Sequence, residues 1–308
     1  MPELRRHRRV IAFIWDFDRT LIPGNQQDPL FEEYGVDPDL FWREVKGLAA
    51  FHSARGEVIS RDAAYLLHML TYVEAGIFGG LTNARLRELG ARLRPCPGIP
   101  GFMGESRRYV AAVPGWAAAG IKVEHYVVSA GLRPMIEGSC IAPQVDGIWA
   151  NAFIENIAPP GYLSSPPPAG LPDRVRRLGY LIDDTTKTRA VFEINKGSNL
   201  DAAVSVNAEM PEDRRPVPFG HMIYVADGPS DVPAFSLLNQ RGGRTLGVYT
   251  GGGDANFESL AGLWERGRIQ GLAEADFRPG HPAHDWLMGA LGQIAQGILA
   301  GEGPEAST

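Results

Sequence analysis

The chain has 308 residues, 44% of them apolar, with a formal net charge of −6 and a pI near 5.7. That length and apolar content suffice for one large or two modest domains, and the acidic balance argues against a nucleic-acid-binding role. No apolar run reaches the roughly 18 residues of a membrane span, and two cysteines, Cys96 and Cys140, make neither a disulfide framework nor a metal set, so cytoplasmic residence is the expectation.

The basic start, Arg5, Arg6, Arg8 and Arg9, runs into an apolar stretch too short for a signal-peptide core. That stretch, Val10 to Trp15, is β-branched and aromatic and reads as a strand buried on both faces of a parallel sheet. Pro23-Gly24-Asn25 marks a turn. Helical periodicity follows over Pro38–Ala54 with Asp37 as cap, over Ser60–Ala75 with Ser60 as cap, and over Thr82–Leu93. The roughly 70 residues of helix before sheet signals return exceed a plain crossover and read as an inserted module. Pro95–Gly101 is a second hinge. A helix over Phe102–Ala119, bent near Pro114, leads to a strand over Ile121–Val128 that ends in Ser129-Ala130-Gly131. A helix over Leu132–Ser139, a strand over Ile148–Ile154, an exposed proline-rich loop over Pro159–Pro172 and a short strand over Leu178–Ile182 come next. Thr185 is placed to cap a helix over Thr186–Lys196. Asn199–Pro218 is a polar surface excursion, Phe219–Ala226 a buried strand, Val232–Asn239 a helix and Arg244–Tyr249 a strand. Gly251–Asp254 reads as a flexible loop, because it lacks the P-loop lysine and the dinucleotide glycine spacing. Helices over Ala255–Arg266 and Pro282–Leu299 and a loose tail, Gly301–Thr308, finish the chain. This alternation specifies an α/β fold with a doubly wound, Rossmann-like parallel sheet.

Ligand sites of such sheets lie at the carboxyl ends of the strands. Three of the expected strands end in Asp16, Ser129 and Asp227, which brings those residues to one edge. Asp16 and Asp18 follow the first strand with Phe17 between them, and Asp227-Gly228-Pro229-Ser230-Asp231 follows a later one. Carboxylates that close together repel and call for a cation. Asp16, the Asp18 carbonyl, Asp227 and Asp231 form an all-oxygen set that suits Mg²⁺, with water and a substrate phosphate completing its shell.

The four motifs in order resemble those of the haloacid-dehalogenase-like (HAD) superfamily of phosphohydrolases: Asp16-Phe17-Asp18-Arg19-Thr20, Ser129 after an apolar run, a lysine opening a helix, and Ala226-Asp227-Gly228-Pro229-Ser230-Asp231. The branch it looks most like is that of the phosphoserine phosphatases. The resemblance implies a core of residues 1–22 and 98–308, with residues 23–97 inserted as a helical cap after the first strand. It implies that Asp16 attacks phosphorus to form an aspartyl-phosphate and that Asp18 is the general acid and base. Ser129, Ala130 and Lys187 would hold the phosphate, with Lys196 as the alternative lysine, and Asp16, Asp18, Asp227 and Asp231 would hold Mg²⁺. An acid at position 18 favours a phosphatase or phosphomutase over a dehalogenase, and the expected substrate is a small phosphorylated metabolite.

The pattern departs from phosphoserine phosphatases in one place. They carry a glutamate shortly after the first motif to read the substrate amine, and this chain has Asn25-Gln26-Gln27. These amides either bind a polar substrate or solvate a hinge. Arg19 faces solvent, the cap or the substrate, and the aromatics Phe31, Tyr34, Phe41, Trp42, Phe51 and Tyr65 are read as cap core.

Overall fold

The computed structural model describes residues 8–164, 174–251 and 255–301. Arg5, Arg6, much of the proline-rich loop, Gly252–Asp254 and the tail beyond Gly301 lie outside the described residues.

Seven strands form one sheet: β1 (Val10–Trp15), β2 (Lys122–Leu132), β3 (Gly147–Ile154), β4 (Arg177–Tyr180), β5 (Met222–Ala226), β6 (Arg244–Tyr249) and β7 (Gly271–Glu274). The spatial order is β4-β3-β2-β1-β5-β6-β7, parallel throughout except for β4, which pairs antiparallel with β3. β1 lies in the middle, in register with β2 (Trp15 beside Val127) and β5 (Trp15 beside Val225).

All six residues of β1 are buried, because both faces of the sheet are covered. Ile11, Phe13 and Trp15 pack toward α5 (Gly101–Ala112), α6 (Pro114–Ala119) and α11 (Pro282–Ala300), through Phe102, Val110, Trp116, Leu287 and Leu291. Val10, Ala12 and Ile14 pack toward α8 (Thr186–Lys196), α9 (Val232–Gln240) and α10 (Ala255–Glu265), through Val191, Ile194, Phe235 and Leu260. Burying a side chain such as Phe13 contributes about 1.5–3 kcal/mol, so the strand that carries Asp16 is held from both sides. His125, on β2 beside β1, is buried and neutral. Burial holds its pKa well below the ordinary value, Trp15 Nε1 donates to its Nδ1 at 3.1 Å, and its Nε2 therefore carries the proton toward Ser106 Oγ at 3.0 Å.

Between β1 and β2 come α1 (Asp28–Tyr34), α2 (Pro38–Ser53), α3 (Arg61–Glu74) and α4 (Asn83–Gly90), then α5 and α6. The first four helices share an apolar cluster built on Leu30, Phe31, Phe41, Leu66, Met69 and Phe78. That cluster continues into Leu132, Met135 and Phe153 at the end of β2, in α7 (Arg133–Gly138) and in β3. The chain rejoins the sheet layer where Cys96 N donates to Leu21 O and Phe277 N donates to Pro97 O. Gly98 has φ +87°, and a Cβ there would meet the Phe277 backbone at 2.3 Å, so this crossing requires glycine.

Several boundaries differ from the sequence reading. The helix expected over Phe102–Ala119 is two helices, because Pro114 forces Val113 out of the helical region (ψ 112°). Thr185 does not cap α8. Asp183 does, accepting from the N–H groups of Thr185 and Thr186. Ser60 makes no capping bond, whereas Asp37 accepts from Asp39 N as expected. Pro218 and a short 3₁₀ turn over Phe219–His221 delay β5 to Met222. The edge strand β7 was not foreseen, since its four residues carry too little pattern.

Candidate active site

β1 ends at Trp15, and Asp16 N still donates to Val225 O on β5 at 2.9 Å, so Asp16 leaves the sheet in a fixed direction. The chain then turns tightly: the N–H groups of Thr20, Leu21 and Ile22 all converge on Phe17 O. Arg19, inside this turn, has φ +54°.

On the other side of β1, β2 runs past the expected end to Leu132. Its ladder with β3 is irregular between Val128 and Leu132, which releases the Ser129–Gly131 backbone from regular pairing. Ser129 Oγ accepts from Gly131 N at 3.0 Å. The Ala130 carbonyl is taken by the Tyr65 hydroxyl of α3 and by the Asn151 amide of β3.

Lys187 lies in the first turn of α8 and is fully buried. Its Nζ donates to Asp16 Oδ1 at 3.0 Å and to Asp231 Oδ1 at 2.8 Å. Burial opposes its charge, but the Asp16 and Asp231 carboxylates outweigh burial and raise its pKa above the ordinary lysine value. Lys196, at the far end of α8, donates to Val206 O and Ala208 O at 2.7 Å each. It therefore ties the 199–218 excursion to its helix, and Lys187 is the lysine that meets the acidic cluster.

Asp16, Asp227 and Asp231 each present a carboxylate oxygen within 4.8 Å of the others. Burial first, then Lys187 in opposition and the charges of Asp231, Asp227 and Asp18 in support, leaves the Asp16 pKa well above the ordinary carboxylate range. Burial and Asp231 push Asp227 up to about 6, although the Asn256 amide donates to it at 3.0 Å. Three hard oxygen donors that penalise one another's charge fit a small divalent cation. Asp231 also accepts from Tyr224 Oη at 2.7 Å and Ser230 Oγ at 2.9 Å, so both of its oxygens already have partners and it suits a supporting or water-mediated position.

Asp18 stands beside this cluster. Burial raises its carboxyl to about 7, against opposing hydrogen bonds from Gln26. Sequence reasoning missed the role of Gln26, which is neither a hinge amide nor free for substrate. Its backbone N–H donates to Asp18 Oδ1 at 2.9 Å, its Nε2 lies 3.4 Å from both Asp18 oxygens, and its Oε1 accepts from Leu132 N at 2.6 Å. The fit is close enough that a Cβ on Gly131 would lie 1.6 Å from Gln26 Nε2. A capping-type local pattern gives no signal for such a long-range bond.

Asp16, Asp18, Ser129, Ala130, Lys187 and Asp227 line one cavity of about 280 Å³, together with Arg19, Asn25, Gln27, Trp42 and Tyr65. Of the helical-segment aromatics, Trp42 and Tyr65 thus reach the site, whereas Phe31 and Phe41 are core and Phe51 is exposed. His68 pairs with Glu44 at 2.8 Å, away from this cavity.

No family model matches the chain. A protein from Borreliella burgdorferi described as uncharacterized is 39% identical over 289 residues, which is 92% of this chain and 98% of that protein. Among solved structures, a probable phosphoserine phosphatase from Vibrio cholerae superposes with a TM-score of 0.52 over 95% of this chain and 68% of that one, at 13% identity. A HAD-family hydrolase from Salmonella enterica serovar Typhi superposes at 0.47 over 85% of this chain and 66% of that one, again at 13% identity. The chain belongs to one family with the Borreliella burgdorferi protein, and it shares the fold of the probable phosphoserine phosphatase from Vibrio cholerae.

Proposed function

We propose that this protein is a Mg²⁺-dependent phosphatase that hydrolyses a phosphomonoester of a small metabolite through an aspartyl-phosphate on Asp16. The observation that carries this reading is the convergence of Asp16, Asp227 and Asp231 within 4.8 Å, with the Lys187 ammonium 3.0 Å from Asp16. Bound there, Mg²⁺ would offset the negative charge that otherwise keeps a carboxylate from an anionic ester. Asp16, the Asp18 carbonyl and Asp227 would hold it, with Asp231 behind them.

The side chains have distinct tasks. Asp16 Oδ2 is the oxygen not bonded to Lys187, and it is the nucleophile toward phosphorus. Lys187, Ser129 and the Ala130 N–H surround the transferring group and hold its oxygens in line. Asp18, protonated up to about pH 7 and fixed by Gln26, gives its proton to the leaving alcohol and then takes one from the attacking water. A cavity of about 280 Å³ suits a phosphate and a short leaving group. Residues 23–97 act as a cap whose Trp42 and Tyr65 exclude bulk water from the site.

The test is phosphate release from a panel of phosphorylated metabolites, with and without EDTA. Metal-dependent release that disappears in Asp16→Asn, with the fold retained, supports the proposal. Unchanged release after chelation, or full activity in Asp16→Asn, overturns it. Transfer of the phosphoryl group to an added alcohol in place of free phosphate would assign the protein to the phosphotransferase or mutase alternative.

A further inference from the structure

Beside the carboxylate and lysine cluster, the cavity has a second half made of Arg19, Asn25, Gln27, Trp42 and Tyr65. Three of its polar side chains, those of Arg19, Asn25 and Gln27, make no hydrogen bond among the described residues. Among the described residues, the Arg19 guanidinium makes no hydrogen bond or ion pair, and Arg19 is an exposed residue on the cavity wall. Gln27 is 4% exposed and lines the cavity, yet its amide has no hydrogen-bond partner among the described residues. The residue is buried but its amide atoms are not, so the amide opens onto the cavity. The Tyr65 hydroxyl, by contrast, is already committed to Ala130 O.

Arg19 also stands where an L-residue is disfavoured. Its φ of +54° lies in the left-handed region that glycine adopts without penalty. Strained backbone of this kind at the wall of a site points to a task for the side chain. The carboxylates on the cavity wall are Asp16, Asp18 and Asp227, all taken by the chemistry already described. Asp28, the nearest other acid in sequence, accepts from Asn25 N. Among the described residues lining the cavity, this half therefore offers a cation, whose charge also reaches Asp227, and two amides, with no carboxylate beyond Asp16, Asp18 and Asp227.

Resting on the proposed phosphatase reading, we infer that the substrate is a phosphomonoester whose leaving alcohol carries a second anionic group, bound by the Arg19 guanidinium and the Gln27 amide. A carboxylate and a second phosphate share the oxyanion chemistry that a guanidinium recognises.

Four probes of one chain length separate the cases: propyl phosphate, 2-carboxyethyl phosphate, 1,3-propanediol bisphosphate and 3-aminopropyl phosphate. The expected result is a kcat/KM at least tenfold higher for one of the anionic probes than for propyl phosphate, with the ammonium probe poorest. Whichever anionic probe leads identifies the anion as carboxylate or phosphate. In Arg19→Gln the ratio of anionic to propyl probe falls toward one, and Arg19→Lys retains part of it. Arg19→Gly loses the preference with no loss of melting temperature, which a merely structural role for the arginine would not allow. Equal kcat/KM for all probes in the unmodified protein, or a preference unchanged in Arg19→Gln, overturns the inference. If no probe releases phosphate, the phosphatase reading fails separately, and calorimetric binding of the same probes to the unmodified protein in Mg²⁺ decides. Tighter binding of an anionic probe that depends on Arg19 sustains the inference, and equal binding ends it.

Discussion

At the scale of single residues, the site is a balance of buried charges, and Lys187 is its pivot. It is fully buried and bonded to both Asp16 and Asp231, so Lys187→Met leaves two buried carboxylates without their counter-charge. Losing one partner of such a cluster costs about 3–5 kcal/mol. Chemical denaturation without metal should show a loss of that order, and an unchanged midpoint would contradict the geometry. Asp227 carries the opposite sign. Its folded pKa of about 6 lies above its ordinary 3.8, so between those values the folded chain binds more protons than the unfolded one, and its contribution to stability is lost as pH rises through about 6. Asp227→Asn should therefore raise the melting temperature of the metal-free protein at pH 8 and leave it nearly unchanged at pH 4. In the proposed reaction Asp18 sets the pH response of turnover. If the protonated form donates to the leaving oxygen as proposed, kcat/KM with an alkyl phosphate should fall as pH rises above about 7. Asp18→Asn should lower the rate by two to four orders of magnitude, the usual range of about 10²–10⁴ for a lost general acid, and remove that descending limb.

At the scale of elements, three pieces of chain must end at the same place for Asp18 to be useful: the turn after β1, the first residues of the helical segment, and the irregular end of β2. Gln26 joins them, with one amide atom on Asp18 and the other on Leu132 N. Gly131→Ala should drive the Gln26 side chain out, since the new methyl would occupy its Nε2 position. A displaced catalytic group can cost about 10²-fold, so steady-state kinetics should show a loss of that order in kcat while the circular dichroism spectrum is retained. Gln26→Ala should match it, and a Gly131→Ala variant with full kcat would show that Gln26 does not position Asp18. This junction also marks the limit of what the sequence discloses. Asp16, Asp18, Ser129, Lys187, Asp227 and Asp231 were legible because each follows an apolar run or opens a periodic helix. Gln26, Asn151 and Tyr224 were not, because their partners are 106, 31 and 7 residues away and no local pattern encodes those bonds. The antiparallel edge strand β4 and the four-residue β7 escaped or blurred for a related reason: short edge strands are defined by pairing rather than by composition.

At the scale of the whole molecule, the sheet brings together carboxylates from distant parts of the sequence. Asp16 comes from the central strand β1, and Asp227 and Asp231 follow its neighbour β5, more than two hundred residues later. Cores on both faces hold these strands in register, so the repulsion within the cluster is imposed on the site rather than relaxed away. A cation that binds the folded chain and not the unfolded one then stabilises the entire domain by mass action, by about 2.7 kcal/mol at a concentration one hundred times its dissociation constant. For a chain of 308 residues this corresponds to a rise of a few degrees in melting temperature. Calorimetry on the unmodified protein should show that rise in Mg²⁺ and not in an equal ionic strength of NaCl. Asp227→Asn should start from a higher metal-free melting temperature at pH 8 and lose most of the Mg²⁺ increment, because the same carboxylate both destabilises the empty cluster and binds the ion. An Mg²⁺ increment of equal size in Asp227→Asn would place the cation elsewhere on the molecule and remove the electrostatic basis of the proposed reaction.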